Sequence, residues 1–289
     1  LAGQKIDGIA VANSVKERVR VAAEVLRSEG VRPCLATILV GENPASTTYV
    51  SNKQKACFEV GIETKDHKLP ELFSQQEMNS LIDLLNKDDA VHGILVQLPL
   101  PKQLDAFSTT SRISPIKDVD GLTPYNVGLL SSGRAILKPC TPSGIMELFE
   151  YYKIELIGKN VVIINRSHLV GKPLYHLMLE KNATVTTCHS RTKNLKQHCL
   201  SADIIVTAIG DRAKFTLTAD MVPDGAIIID VGTSRENGKL VGDVDYENVI
   251  KKASFATPVP GGVGPMTIAM LLKNTVTAAS ISKGFVSSR

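Results

Sequence analysis

The spacing of apolar positions changes many times along the chain, and each change marks a new element. Val15, Val19, Ala22 and Leu26 recur at helical spacing, so the first segment is expected to be a helix. Residues 35–40 are almost continuously apolar, as a strand covered on both faces must be, and Gly41-Glu42-Asn43-Pro44 then turns the chain. A helical stretch over 45–60 ends at Gly61, a residue suited to the left-handed backbone of a helix stop. Strand 62–69, helix 75–86 and strand 93–97 continue the alternation. A second series begins after Lys138-Pro139-Cys140-Thr141-Pro142, with helix 143–152, strand 160–164, a helix starting near Pro173, and strands 184–187, 203–207 and 226–229. Repeated β-α-β units build mostly parallel sheets with helices on both faces. The expected fold is α/β in two lobes, an N-terminal α/β lobe over 1–138 and a Rossmann-like, doubly wound lobe over 139–266, with a cleft between them. A last helix over 267–289 is expected to pack back on the first lobe.

One stretch breaks every period. Thr257-Pro258-Val259-Pro260-Gly261-Gly262-Val263-Gly264-Pro265-Met266-Thr267 carries three prolines, three glycines and no charge. Proline removes a backbone donor and glycine offers no packing group, so regular structure is not expected here. Such a loop brings bare backbone close to a bound molecule, although it would also serve as a rigid connector.

Bulk properties narrow the class. With 289 residues, 43% hydrophobic and 21% charged, the chain has ordinary globular composition, and a net charge of +4 gives no reason to expect nucleic acid or a membrane surface. No apolar run approaches the roughly 20 residues that span a bilayer. The five cysteines (Cys34, Cys57, Cys140, Cys188, Cys199) include no CxxC pair, which fits a reducing compartment, and the cytoplasm is the expected location. Because the chain begins at Leu1, an organellar form with a removed leader is the alternative. Cys188-His189 and His198-Cys199 lack zinc-type spacing, so no metal is expected.

The second lobe has the marks of a nucleotide site. Residues 161–173 read as strand, loop and helix start, and Pro173 suits the first helical turn. Free amides at such a helix start attract a diphosphate, as in dinucleotide-binding sheets. Only Gly171 of the usual glycine pattern is present, and a plain turn would look similar. The next strand runs into His189-Ser190-Arg191-Thr192 with no carboxylate for a ribose diol. Arg191, with Arg166 from the first loop, would suit a 2′-phosphate, so NADP is expected over NAD; two solvated arginines are the bland alternative.

The first lobe offers a lysine. Tyr49 and Lys53 lie four residues apart and share a helix face, where a ring would support a flat substrate and the amine would transfer protons. A solvated face explains the same spacing. Gln97 falls at the carboxyl end of a buried strand, where open α/β sheets bind ligands. In Lys117-Asp118-Val119-Asp120-Gly121, the carboxylates would grip an amidine-like heterocycle edge, although an Asx turn accounts for at least one of them.

Taken in order, these segments resemble the bifunctional methylenetetrahydrofolate dehydrogenase/methenyltetrahydrofolate cyclohydrolase family over essentially the whole chain. The resemblance is carried by Tyr49-Val50-Ser51-Asn52-Lys53, Val96-Gln97-Leu98-Pro99-Leu100-Pro101, Lys117-Asp118-Val119-Asp120-Gly121, Arg166-Ser167, Val170-Gly171-Lys172-Pro173, Ala202-Asp203-Ile204-Ile205, Asp230-Val231-Gly232, Gly242-Asp243-Val244 and the 258–267 loop. It implies a folate-binding first lobe and an NADP-binding second lobe. It also implies oxidation of 5,10-methylenetetrahydrofolate with NADP, then hydrolysis to 10-formyltetrahydrofolate, within the one-carbon metabolism that serves purine biosynthesis. By matching position, Lys53 would transfer the proton of the hydrolytic step, Gln97 would tune it, Tyr49 would stack on the aminobenzoyl ring and Asp120 would hold the pterin. Val50, Ser51, Asn52, Val96, Leu98 and the Pro260, Gly261, Gly262, Val263 and Gly264 backbone would line the folate. Asn165, Arg166, Ser167, Gly171, Ser190, Arg191 and Thr233 would meet the dinucleotide. The family usually has Gly at the position of Asn165 and commonly Ile at that of Thr233. A homodimer is the family's habit. The alternatives are a dehydrogenase lacking the hydrolytic step, a shikimate-type NADP-dependent dehydrogenase, or a regulator that has lost catalysis.

Overall fold

A computed structural model of the chain describes residues 3–284. It divides into two units, one made of the residues up to Asn13 with Thr141–Thr267, the other of Ser14–Cys140 with the residues from Ile268 onward. The chain opens with β1 (Gln4–Lys5) and α1 (Gly8–Ser28), and the division falls inside that helix. In this division the residues before Ser14 group with Thr141–Thr267, whereas the expected first lobe runs over 1–138. The reason is that β1 pairs in parallel with a strand near residue 255, through Gln4↔Phe255 and Lys5↔Ala256.

The unit containing Ser14–Cys140 is built on β2 (Cys34–Val40), α2 (Pro44–Val60), β3 (Glu63–Leu69), α3 (Gln75–Lys87) and β4 (Gly93–Val96), followed by the short helices α4 (Ala106–Ser111) and α5 (Pro124–Ser131). Its sheet has the order β3-β2-β4 and is parallel throughout. The central strand β2 is buried along its length, which is why it reads as an uninterrupted apolar run. Ala36, Ile38 and Val40 pack with Met78, Ile82 and Leu85 of α3 and with Ile94 and Val96 of β4. The start of α3 is fixed by a capping box in which Ser74 and Glu77 satisfy each other's backbone donors.

The other unit resumes at Thr141, inside α6 (Cys140–Tyr151), and continues through β5 (Asn160–Ile164), α7 (Gly171–Glu180), β6 (Thr184–Cys188), α8 (Leu195–Leu200), β7 (Ile204–Thr207) and β8 (Ile227–Asp230). A hairpin of β9 (Ser234–Glu236) and β10 (Lys239–Val241), then α9 (Tyr246–Val249) and β11 (Phe255–Ala256), complete it. The order of its six strands, β1-β11-β8-β7-β5-β6, places the reversal of winding between β5 and β7. Ligands of open α/β sheets sit at the carboxyl ends of strands at such a reversal.

The final helix, α10, spans Val263–Ser282. Residues 263–267, expected to be irregular, are its first turn, and only Thr257–Gly262 remains a loop. Pro265 is tolerated there because first-turn amides have no intrahelical acceptor to lose. From Ile268 onward α10 belongs to the unit of Ser14–Cys140, and residues 285–289 of the expected helix lie outside the described residues. No helix among the described residues is long and apolar enough to cross a membrane.

Candidate active site

α2 carries Tyr49 and Lys53 on one face, and the carboxyl end of β4 delivers Gln97 to the lysine. Lys53 Nζ donates to Gln97 Oε1 at 3.0 Å, and Gln97 Nε2 donates to the Leu98 carbonyl at 2.7 Å. The second bond decides the first. With its nitrogen held by Leu98, the amide turns its oxygen to the amine, the only orientation in which a lysine donor finds an acceptor. Lys53 is half-buried rather than enclosed, Tyr49 is half exposed, Val50 and Val96 are buried, and Ser51 and Leu98 are intermediate. Asn52 is exposed.

The segment after β4 separates its two aspartates by role. Asp118 is buried, and its carboxylate accepts from the amides of Leu122 and Thr123 and from Asn126 Nδ2, at 3.2, 2.8 and 2.8 Å. Asp118 is thus the turn-forming carboxylate. Lys117 is equally occupied, donating to the carbonyls of Leu85 and Asp88 at 3.0 and 2.8 Å, and burial pulls its pKa down. Asp120 remains. Burial pushes its carboxyl above the ordinary range, the positive charge of Lys53 opposes that, and the Cys140 thiol, which donates to the Val119 carbonyl at 3.3 Å, lies beside it. Lys53, Gln97, Asp120 and Cys140 therefore form one polar group inside a single unit. Cys140 is given no role by the sequence, where it is one of five cysteines without a CxxC pair; burial and the neighbouring Asp120 raise its pKa far above normal.

In the other unit, Asn165 follows β5 at the reversal of winding. Its Nδ2 donates to the Ala208 carbonyl beyond β7 at 2.5 Å, and its Oδ1 accepts from the amides of Ser167 and Gly171 at 2.7 and 3.0 Å. The Val170 amide goes to Ser167 Oγ at 3.2 Å and the Lys172 amide to the Ser167 carbonyl at 3.0 Å. The expectation of free amides at the start of α7 is therefore corrected: those of Val170, Gly171 and Lys172 are satisfied inside the loop. The cause is Asn165, whose side chain supplies an acceptor that glycine at this position would lack. Arg166, Ser190, Arg191 and Thr233 are exposed, and among the described residues neither guanidinium is tied to a carboxylate. No carboxylate ends β6; the Arg191 amide donates to His189 Nδ1 at 3.2 Å. Pro260 and Gly264 are exposed, Gly261 is intermediate, and Gly262 and Val263 are buried.

Comparison with known proteins decides the family. Residues 6–120 match the catalytic domain of tetrahydrofolate dehydrogenase/cyclohydrolase, and residues 139–283 match its NAD(P)-binding domain. The chain belongs to the tetrahydrofolate dehydrogenase/cyclohydrolase family. It is 68% identical over 282 residues to the bifunctional protein FolD of Nitrosopumilus maritimus (strain SCM1), covering 98% of each chain. Among solved structures it is similar to the bifunctional FolD enzyme of Campylobacter jejuni, with 48% identity, a TM-score of 0.94 and coverage of 99% of this chain and 100% of that one. It is also similar to the Trypanosoma brucei dehydrogenase-cyclohydrolase complexed with NADP and an inhibitor, with 38% identity, a TM-score of 0.92 and coverage of 98% and 99%.

Within the dehydrogenase/cyclohydrolase frame, two buried carboxylates brace the dinucleotide-side loops. Asp230, at the end of β8, accepts from the amides of Gly232, Asp243 and Val244 at 3.0, 3.0 and 2.9 Å. Asp243 accepts from Ile209 and Gly210 at 2.6 and 3.0 Å, tying the loop after β7 to the same knot. Gly242 permits this, because a Cβ there would collide with the Asp230 carboxylate. The signal in the sequence was an acid within two residues of a glycine in each of Asp230-Val231-Gly232 and Gly242-Asp243-Val244. Burial holds Asp230 up at about 6. Between about pH 4 and pH 6 the native state then binds the extra proton, so stability falls as pH rises through that window. Relative to Asp230→Asn, the wild type is expected to lose roughly 3 kcal/mol from pH 4 to pH 6. Urea unfolding of both proteins at several pH values measures this, and parallel curves would show that Asp230 titrates normally.

Proposed function

We infer that this chain oxidises 5,10-methylenetetrahydrofolate to the methenyl compound with NADP and then hydrolyses that product to 10-formyltetrahydrofolate. The observation that carries the reading is the Lys53–Gln97 hydrogen bond beside a partly buried Asp120, in a chain matching both domains of the family.

The chemistry asks little of the protein in the first step and more in the second. NADP, when bound, supplies the hydride acceptor. The donor set fits it: two exposed arginines without carboxylate partners among the described residues suit a 2′-phosphate, and the end of β6 carries no carboxylate for a ribose diol. On the folate side, Tyr49 supports the aminobenzoyl ring and the Asp120 carboxylate accepts paired hydrogen bonds from the pterin edge. Loss of hydride leaves a cation spread over two folate nitrogens, so positioning is most of the work. Water then adds to the methenyl carbon, and one carbon–nitrogen bond opens. Lys53 moves the proton in this step, and Gln97 fixes where its amine sits. The protein acts as a homodimer, an expectation from the family, and works in the cytoplasm, a reading supported by five unpaired, buried cysteines.

Rapid mixing with 5,10-methylenetetrahydrofolate and NADP tests both steps at once. Reduced cofactor forming with little free methenyl compound is the expected result. Stoichiometric accumulation of the methenyl compound would leave only a dehydrogenase, and no reduced cofactor would remove the reading entirely.

A further inference from the structure

We propose that Asn274, on α10, is a positioning residue for the folate site, setting the placement of Asp120 by clamping the backbone beside it. The proposal rests on the reading of Asp120 as the pterin-binding carboxylate. Asn274 is 6% exposed on a helix whose other buried positions nearby are Leu271, Leu272, Thr275, Val276, Ala278 and Ala279. An apolar residue would pack there without desolvating an amide, and asparagine is a poor helix former, so its presence calls for partners. It has them. Nδ2 donates to the Val119 carbonyl at 2.7 Å and to the Lys138 carbonyl at 2.8 Å. An amide nitrogen has two hydrogens, so these two bonds saturate it, and the Cys140 sulfur at 3.8 Å is a packing neighbour.

The two carbonyls belong to the segments that bracket Asp120. Val119 directly precedes it, and Lys138 leads into Cys140, whose thiol lies against both Asp120 and the Val119 carbonyl, the latter at 3.3 Å. After Asp120, Gly121 has φ +67° and sits so close to the Lys138–Pro139 peptide that a Cβ would lie 2.6 Å from the Lys138 carbonyl carbon. Asp118 is tied down from the other side by Leu122, Thr123 and Asn126. Asp120 is thus held through its neighbours while its own carboxylate stays available, and Asn274 supplies the donors that join the two segments. Paired hydrogen bonds to a flat heterocycle tolerate little displacement, and an error of about 1 Å costs up to about a hundredfold.

A double-mutant cycle of Asn274→Ala and Asp120→Asn, read as KM and kcat for each substrate, tests this. Asn274→Ala is expected to raise KM for methylenetetrahydrofolate about tenfold, leave KM for NADP within about twofold, and add nothing in the Asp120→Asn background. If Asn274→Ala does not accumulate folded, Asn274→Ser, which keeps a hydroxyl donor, carries the same cycle with an expected rise of about threefold. Additive effects, or an equal loss for both substrates, would overturn the positioning role while leaving Asp120 in place. A normal folate KM in Asp120→Asn alone would remove the reading of Asp120, and this proposal with it.

Discussion

Replacing Lys53 with glutamine is expected to lower methenyl hydrolysis by about a hundredfold to ten-thousandfold, the range in which a positioned acid–base group contributes. Hydride transfer should keep roughly half of its rate or more, because that step moves no proton and depends on placement. Glutamine preserves much of the lysine's length, and its amide can still donate to Gln97 Oε1, which the Leu98 carbonyl holds in position. The substitution therefore removes the proton carrier more than it removes the architecture. A second consequence follows from charge. Lys53 now holds down the pKa of Asp120 against burial. Without it Asp120 takes up a proton at higher pH and loses an acceptor for the pterin. KM for the folate should then rise with falling pH sooner in Lys53→Gln than in the wild type. Parallel dehydrogenase and cyclohydrolase assays across pH read both effects. A variant that lost hydride transfer alone would contradict the role of Lys53.

The ease with which the two β-α-β series can be read has a physical origin. Parallel strands covered on both faces must be apolar throughout, so β2, β5 and β7 stand out as short uninterrupted runs between amphipathic helices. The exceptions lie where local composition and tertiary context disagree. β1 is only Gln4 and Lys5, both exposed, and no pattern in two polar residues reveals that they pair with β11. The proline- and glycine-rich run was over-read as irregular because first-turn positions accept residues that a helix interior rejects. The β9–β10 hairpin had a signal that was passed over: Asn237-Gly238, both at positive φ, is a turn pair of the kind that joins two-residue hairpins.

At the site, the separation was between chemistry and support. Lys53, Gln97 and Asp120 were singled out because proton transfer and heterocycle recognition, the roles proposed for them, restrict residue type. Asn274, Cys140 and the Asp230–Asp243 knot were not, since their partners are backbone groups distant in sequence, reached only after folding. Asn165 shows the limit most plainly. Its identity was noted as a departure from the family, but only three-dimensional placement shows that it fills the amides a diphosphate was expected to use.

That closure raises the weight carried by the arginines. With the amides at the start of α7 occupied, recognition of a dinucleotide has to draw more on side chains, and Arg166 and Arg191 are exposed without carboxylate partners among the described residues. Charge-assisted hydrogen bonds contribute about 1.5–3 kcal/mol each, so Arg166→Ala with Arg191→Ala should weaken NADP by about a hundredfold to ten-thousandfold. NAD, which lacks the 2′-phosphate, should change by no more than about threefold. The protonation of that phosphate supplies an internal check. Its second ionisation falls near pH 6, so wild-type preference for NADP over NAD should shrink as pH drops through about 6, and the double variant should lose this dependence. Steady-state KM values for both cofactors across pH provide the measurement. Equal weakening of NADP and NAD would mean that the arginines supply only a general positive field, and the 2′-phosphate would then have to be held elsewhere.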